Sequence, residues 1–299
     1  MSKRKEQKAS GLILIAASAY AMLSIGIGLA ARDGVTLSTL MAWRYALAAP
    51  ILALIAGAAT FRVPFRNAML LVVLGGGGQS LVTWLSLSAL EWLPAAALGF
   101  LFYTYPAWVA VFAAIAGTER LTGVRVAALG VALVGITLMV GVPWAISFPL
   151  TGVLRALGSA VNSALYSPLI HRLRGPHSAA AASAWIIAGA AIVFVVAALL
   201  SDGLVANMTA RTWAIAIFLA GFSTVVAFIT FLRGLAVLGP VRSAILSTTE
   251  PFWTTVLAAL VLGQPFGSAT IAGGICIVGA ILLLQRSTPA PPADAPLPT

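Results

Sequence analysis

Ten apolar stretches of about 20 residues follow one another between Gly11 and Gln285. At 1.5 Å of rise per residue, a helix of that length matches a hydrocarbon core roughly 30 Å thick. The chain is 61% hydrophobic and 8% charged, against about 25% charged residues in ordinary soluble domains. No soluble fold of this size can hide so much apolar surface, so lipid is the expected solvent. Apolar and polar residues do not alternate at strand spacing, so helices rather than a barrel must satisfy the backbone inside the bilayer. The expected class is all-α integral membrane.

The spans are predicted at residues 11–31, 36–57, 67–89, 94–117 and 123–141, then 149–170, 178–200, 211–232, 240–263 and 267–285. Residues 1–10 form a basic N-terminus, 11–141 a first unit of five helices, and 149–285 a second. Residues 286–299 are rich in Pro and Ala with no apolar face to bury, and a disordered tail is expected there. Lys3, Arg4, Lys5 and Lys8 precede the first span. That span is longer than a signal-peptide core of roughly 7 to 15 residues, so it reads as retained. With the N-terminus inside, Arg62, Arg66, Arg120, Arg125, Arg172, Arg174, Arg233, Arg242 and Arg286 fall on the cytoplasmic side, and Arg32 and Arg211 outside. Both termini are therefore expected in the cytoplasm of a bacterial cell, with the chain in its inner membrane. The net charge of +10 is spread over helix ends, which excludes a nucleic-acid face.

An internal repeat is the most informative pattern in the chain. The segment ALEWLPAAALGFLFYTYPAWVAVFAAIAGTERLTG, ending at Gly123, parallels LAVLGPVRSAILSTTEPFWTTVLAALVLGQPFG, ending at Gly267. Pro106 aligns with Pro251, a polar residue follows 13 positions later in each (Glu119 or Gln264), and Gly130 and Gly135 align with Gly274 and Gly279. Four matches at nearly constant offset imply duplication. Units with an odd number of helices must face opposite ways in the membrane, which predicts an inverted repeat, a plan shared by many secondary transporters.

A proline-interrupted helix, a short polar loop such as GTER and a Gly-rich helix together resemble the EamA-type repeat of the drug/metabolite transporter superfamily. The resemblance covers nearly the whole chain, and within the superfamily it is similar to exporters of aromatic amino acids. Gln264 departs from the pattern, standing where a carboxylate like Glu119 is usual. The resemblance implies export of small metabolites, amino acids with an aromatic preference foremost, and no bound cofactor. An exporter of drugs or other metabolites, or a gated channel-like facilitator, is the alternative.

Candidate site residues come from polar chemistry inside apolar spans. Pro106 and Pro251 each remove a backbone hydrogen bond near mid-helix and free the carbonyls of Phe102 and Ser247. They are read as hinges beside a central site, or else as ordinary packing prolines. Glu250 lies deep in its span, where a charge costs about 2.5 to 3.5 kcal/mol or more. It is either a site for a substrate ammonium or a proton, or a structural group paired with Arg44. Arg44 and Arg155 are expected in the outer half, snorkelling to the interface.

Gln79, Thr83 and Ser86 share one helix face, and Arg155, Ser159, Asn162 and Tyr166 share another. Both stripes are read as lining. Ser223, Ala227 and Thr230 make a smaller stripe, for which hydrogen bonding between helices is the competing account. Tyr103 and Tyr105 are expected to face a cavity, because a buried phenol needs a partner that lipid cannot supply. Phe102 and Trp108 have no such requirement. The Gly75 to Gly78 run, Gly130 and Gly135 are expected to permit close helix contact.

Enzyme chemistry finds no support. No lysine follows Lys8, which excludes a P-loop or a Schiff base within the helical body. Cys276 is the single cysteine, so neither a disulfide nor a Cys-based metal site is expected. His171 and His177 flank a charged turn. The partners implied are a small-molecule substrate and the lipid bilayer. One monomer suffices for a pathway, and the oligomeric state is not readable.

Overall fold

The computed structural model describes residues 3–89, 91–93, 95–117, 122–140, 148–201, 203–263 and 267–286. Glu119, Gln264 and the tail at 287–299 lie outside the described residues. Every regular element among those described is helical. In chain order they are α1 Lys3–Arg32, α2 Leu37–Ala56, α3 Ala58–Phe61, α4 Phe65–Val73 and α5 Ser80–Ala89, with a π-helical turn Leu74–Gln79 joining α4 to α5. Then come α6 Ala95–Phe102, α7 Tyr105–Ile115, α8 Gly123–Val140, α9 Leu150–Arg174 and α10 Ala179–Leu200. The chain ends with α11 Ala210–Ala220, a second π-helical turn Gly221–Val226, α12 Ala227–Ser247, α13 Glu250–Leu262 and α14 Ser268–Arg286.

Hydroxyl caps set several of the starts. Thr36, Ser178 and Thr209 each accept the backbone N–H three residues on, at 3.4, 3.2 and 3.2 Å, satisfying one orphan donor of α2, α10 and α11. Six stretches are long and apolar enough to cross a membrane, and three shorter helices are apolar as well. The longest, Ala210–Ser247, has 38 residues. A straight helix of that length would measure about 57 Å, well beyond one bilayer. Gly239 resolves the excess: at φ 77 and ψ 171 it breaks α12 just before Pro240, in a region open to glycine and essentially closed to other residues. The chain is a multi-pass membrane protein.

Packing relates the two halves to each other. α2 lies against α10 and α8 against α14, while α1 packs on α12 and α13 in the way that α9 packs on α5 and α7. Exchanging the halves maps each contact onto another. The glycine run allows one of the closest approaches: a Cβ on Gly75 would fall on the Ile186 carbonyl group, and one on Gly189 would fall on the Val72 carbonyl. Gly135 likewise sits 2.8 Å, at its would-be Cβ, from the Gly273 carbonyl oxygen. Gly130 has nothing within 4 Å of that position, so the expectation of close contact there is corrected.

The prolines do more than kink a helix. Pro106 and Pro251 each occupy the first turn of a new helix, α7 or α13, where a missing N–H costs nothing. The chain breaks just before them, at Tyr103–Thr104 and Thr248–Thr249. The residues that open the new helices have nearly the same backbone, Thr104 at φ −73, ψ −12 and Thr249 at φ −72, ψ −16. Each turns its hydroxyl back to a carbonyl three residues earlier, Leu101 at 2.7 Å and Leu246 at 2.9 Å. Of the backbone hydrogen bonds that cross the two breaks, none ends on the Phe102 or Ser247 carbonyl.

Candidate functional site

The two breaks face each other across the centre of the molecule. From the first, Tyr103 donates to the Glu250 carboxyl, which opens α13 at the second. Tyr105 reaches the same region, donating to the Ala244 carbonyl at 3.3 Å and bonding the Ser247 hydroxyl. Phe102 lies between the two phenols, its ring 5.4 Å from Tyr103 and 5.6 Å from Tyr105. Glu250 is surrounded on all sides yet keeps solvent-accessible surface, as do Tyr103 and Tyr105.

The chain has five tyrosines, and electrostatic interactions link all five into one network with Glu250. Glu250 acts electrostatically on Tyr20, Tyr103 and Tyr105, Arg44 acts on Tyr20, and Tyr20 and Tyr45 both act on Tyr166. Tyr20 comes from α1, with its ring edge-on to Phe228 at 6.0 Å and to Phe231 at 6.4 Å. Tyr45, from α2, stacks on Phe194 at 5.3 Å and accepts from Gln79 Nε2 at 3.3 Å. A carboxyl group, a guanidinium and five phenols thus lie within electrostatic range of one another, with Tyr45 and Arg44 sealed at 0% and 2% exposed. Such a set can hold an ammonium by charge and an aromatic ring by stacking or edge contact.

The two π-helical turns, Leu74–Gln79 and Gly221–Val226, are each completed from the other half. A π turn puts the local carbonyls out of register with the helix, so they need donors from elsewhere. In the first turn, the Gly78 carbonyl accepts from Asn162 Nδ2 of the second half at 2.9 Å. In the second, the Ser223 carbonyl accepts from Arg44 Nη2 of the first half at 3.1 Å, and Thr224 Oγ1 accepts from Arg44 Nε at 2.7 Å. Each half satisfies the turn of the other. Arg44 is 2% exposed and its guanidinium carbon stands 4.7 Å from the centre of the Tyr45 ring.

Arg44 therefore does not snorkel, nor does it pair with Glu250, because the π turn supplies the acceptors that a buried cation requires. Arg155 donates to the Ser88 carbonyl at 2.9 Å and to Glu91 at 3.2 Å, with its side chain part-exposed.

The remaining expected residues fall in three places. Tyr103, Tyr105, Ser247 and Glu250 meet at the breaks, beside Pro106 and Pro251. Gln79 bonds the Tyr45 hydroxyl, and Tyr166 lies within electrostatic range of Tyr20 and Tyr45. Thr83 and Ser86 stay on the α5–α9 interface: Thr83 donates to its own helix at Gln79 O, 3.0 Å, and Ser86 bonds Ser159 at 2.7 Å. Asn162 is engaged at the π turn.

The stripe of Ser223, Ala227 and Thr230 is a packing feature. Ser223 donates to the Ala19 carbonyl at 2.7 Å and Thr230 to the Val226 carbonyl at 2.7 Å. Tyr20 and Tyr45 are not among the expected residues, since no polar stripe marks α1 or α2. The one available signal was the scarcity of tyrosine itself.

A family model described as the EamA-like transporter family matches the chain twice, over residues 7–141 and again over 150–286. A solved crystal structure, described only as that of a protein, superposes with a TM-score of 0.80 at 21% identity, covering 93% of this chain and 96% of that one. At that identity the likeness concerns the fold alone. No curated protein matches the sequence.

Proposed function

Because the chain belongs to the EamA-like transporter family of the drug/metabolite transporter superfamily, whose members move small molecules, we propose that it is a secondary exporter of amino acids with an aromatic preference. Its substrate site is a chamber between the two halves, at the helix breaks. The ten spans form two inverted units of five in the bacterial inner membrane, with both termini cytoplasmic, and alternating access exposes the chamber to each side in turn. The helix breaks before Pro106 and Pro251 act as the hinges, since they are the places where helical hydrogen bonding already lapses.

One observation carries this reading: Glu250 and the phenols of Tyr103 and Tyr105 meet at the two breaks, with Tyr20 within electrostatic range. In lipid such groups are costly unless they are used. Glu250 with the Tyr103 hydroxyl suits a substrate ammonium, and the phenol rings suit an aromatic side chain. An aromatic pair gains roughly 0.5 to 1.5 kcal/mol beyond burial, enough for several-fold selectivity over an aliphatic substrate.

Purified protein in proteoliposomes, loaded in parallel with aromatic and aliphatic amino acids, cationic drugs and sugar derivatives, tests the proposal. Saturable efflux with the aromatic amino acids fastest is the expected result. Flux that never saturates would indicate a channel, a drug-only profile would replace the substrate class, and no flux across the whole panel would remove the transport reading.

A further inference from the structure

A groove of about 320 Å³ opens on the flank of the molecule between α4 and α9. Leu70 and Val73 wall one side, Leu165 and Leu169 the other, and all four are exposed large apolar residues. Its floor carries Asn162 and the ring of Tyr166, which is 8% exposed and lies so close to Gly78 that no Cβ would fit there. In a bilayer this groove meets hydrocarbon and not water. Helix register puts Arg66 and Arg172 one turn past its lining residues, beyond the same end of it. Arg66 is one helical turn before Leu70 on the same face, and Arg172 is one turn beyond Leu169.

Both arginines are exposed, and neither has an ion-pair partner among the described residues. No acidic residue occurs in 58–70 or 165–178. By contrast Arg174, next along α9, is occupied, donating to the His177 and Leu232 carbonyls at 3.0 and 2.9 Å.

We propose that this groove is a binding site for one anionic phospholipid, with an acyl chain along the leucine walls and the headgroup phosphate between Arg66 and Arg172. An apolar slot that ends in two unpaired guanidinium groups fits that amphiphile. A zwitterionic lipid offers the same chain but no net charge, and a free phosphate offers the charge but no chain. Basic pockets between spanning helices are a recurrent means of holding acidic headgroups, each cation contributing about fivefold to binding near the surface. Assigning the lipid to the cytoplasmic leaflet rests on the proposed topology, and binding itself does not.

Native mass spectrometry of the purified, delipidated protein tests the site without any transport assay. Phosphatidylglycerol, phosphatidylcholine and glycerol phosphate are titrated separately. Wild type should retain one phosphatidylglycerol with roughly 30-fold preference over phosphatidylcholine, and glycerol phosphate should not compete.

The double variant Arg66→Gln/Arg172→Gln, which alters only exposed side chains and should melt like wild type, should lose that preference. Leu165→Trp, which fills the slot, should lower retention of both lipids. Unchanged preference in the double variant, unchanged retention in Leu165→Trp, or displacement by glycerol phosphate would each overturn the proposal. None of these outcomes depends on whether amino acids are transported.

Discussion

Replacing Gly75 by alanine adds one methyl group where the structure has no room for it. The ideal Cβ lands 2.6 Å from the Ile186 carbonyl carbon and 2.9 Å from its Cα, and closer still to the carbonyl oxygen. These are backbone atoms in the middle of α10, which cannot rotate aside as a side chain can. The π turn and α10 must separate, and overpacking of this kind costs typically about 1–3 kcal/mol, sometimes more. Separation also draws Gln79, at the end of the same turn, away from Tyr45.

Gly77 is the internal control. It lies in the same turn with nothing within 4 Å of its would-be Cβ, so Gly77→Ala removes backbone freedom at no steric cost and should be neutral or stabilising by about 0.5–1 kcal/mol. Thermal unfolding of both variants in one detergent reads the contrast. Gly75→Ala should melt several degrees below wild type and Gly77→Ala at or above it. Equal melting temperatures would refute the close approach of the π turn to α10, and with it the account of how Gln79 is placed.

Thr224→Val keeps the side-chain shape but removes the acceptor of Arg44 Nε, leaving a buried charged donor unpaired. It should cost about 1–3 kcal/mol in the same melting assay. Glu250→Gln, folded and monodisperse, should lose most transport in proteoliposomes together with its dependence on pH, and a normal rate with a normal pH profile would remove Glu250 from the mechanism. In a Cys276→Ser background, cysteines placed at Arg62 and Asn207, both exposed, should react with an impermeant maleimide from opposite sides of the membrane. Labelling from one side alone would break the proposed topology.

Much of the fold was legible because lipid imposes a simple rule: a span is apolar and about 20 residues long, and a polar atom inside it needs a partner. That rule led to Glu250, Tyr103 and Tyr105, and the paired prolines led to both helix breaks. It could not distinguish a kink from a break, since both follow from a missing N–H. The choice depends on Thr104 and Thr249 turning their hydroxyls back on the preceding helix.

The π turns were hidden for a different reason. Gly75 to Gly78 suits a plain α-helix in close contact as well as it suits a π turn, and the extra residue becomes visible only through the donors that Asn162 and Arg44 supply across the molecule. Arg44 was misplaced because its depth is set by packing of α2 against α10, α11 and the second π turn, and not by its distance from a helix end. Tyr20 and Tyr45 sit in spans without a periodic polar stripe, so no pattern in the sequence pointed to them.

The central claim is that the phenols at the breaks recognise the side chain of an aromatic substrate while Glu250 holds its ammonium. It is tested most directly by comparing Tyr103→Ala and Tyr105→Ala with the matching Phe variants, measuring proteoliposome efflux of phenylalanine and of alanine. The account predicts that the Ala variants lose phenylalanine transport several-fold more than alanine transport, consistent with roughly 0.5 to 1.5 kcal/mol for each lost ring pair. The Phe variants, which keep the ring, should retain the selectivity. Equal losses for both substrates, or no loss for either, would contradict the account.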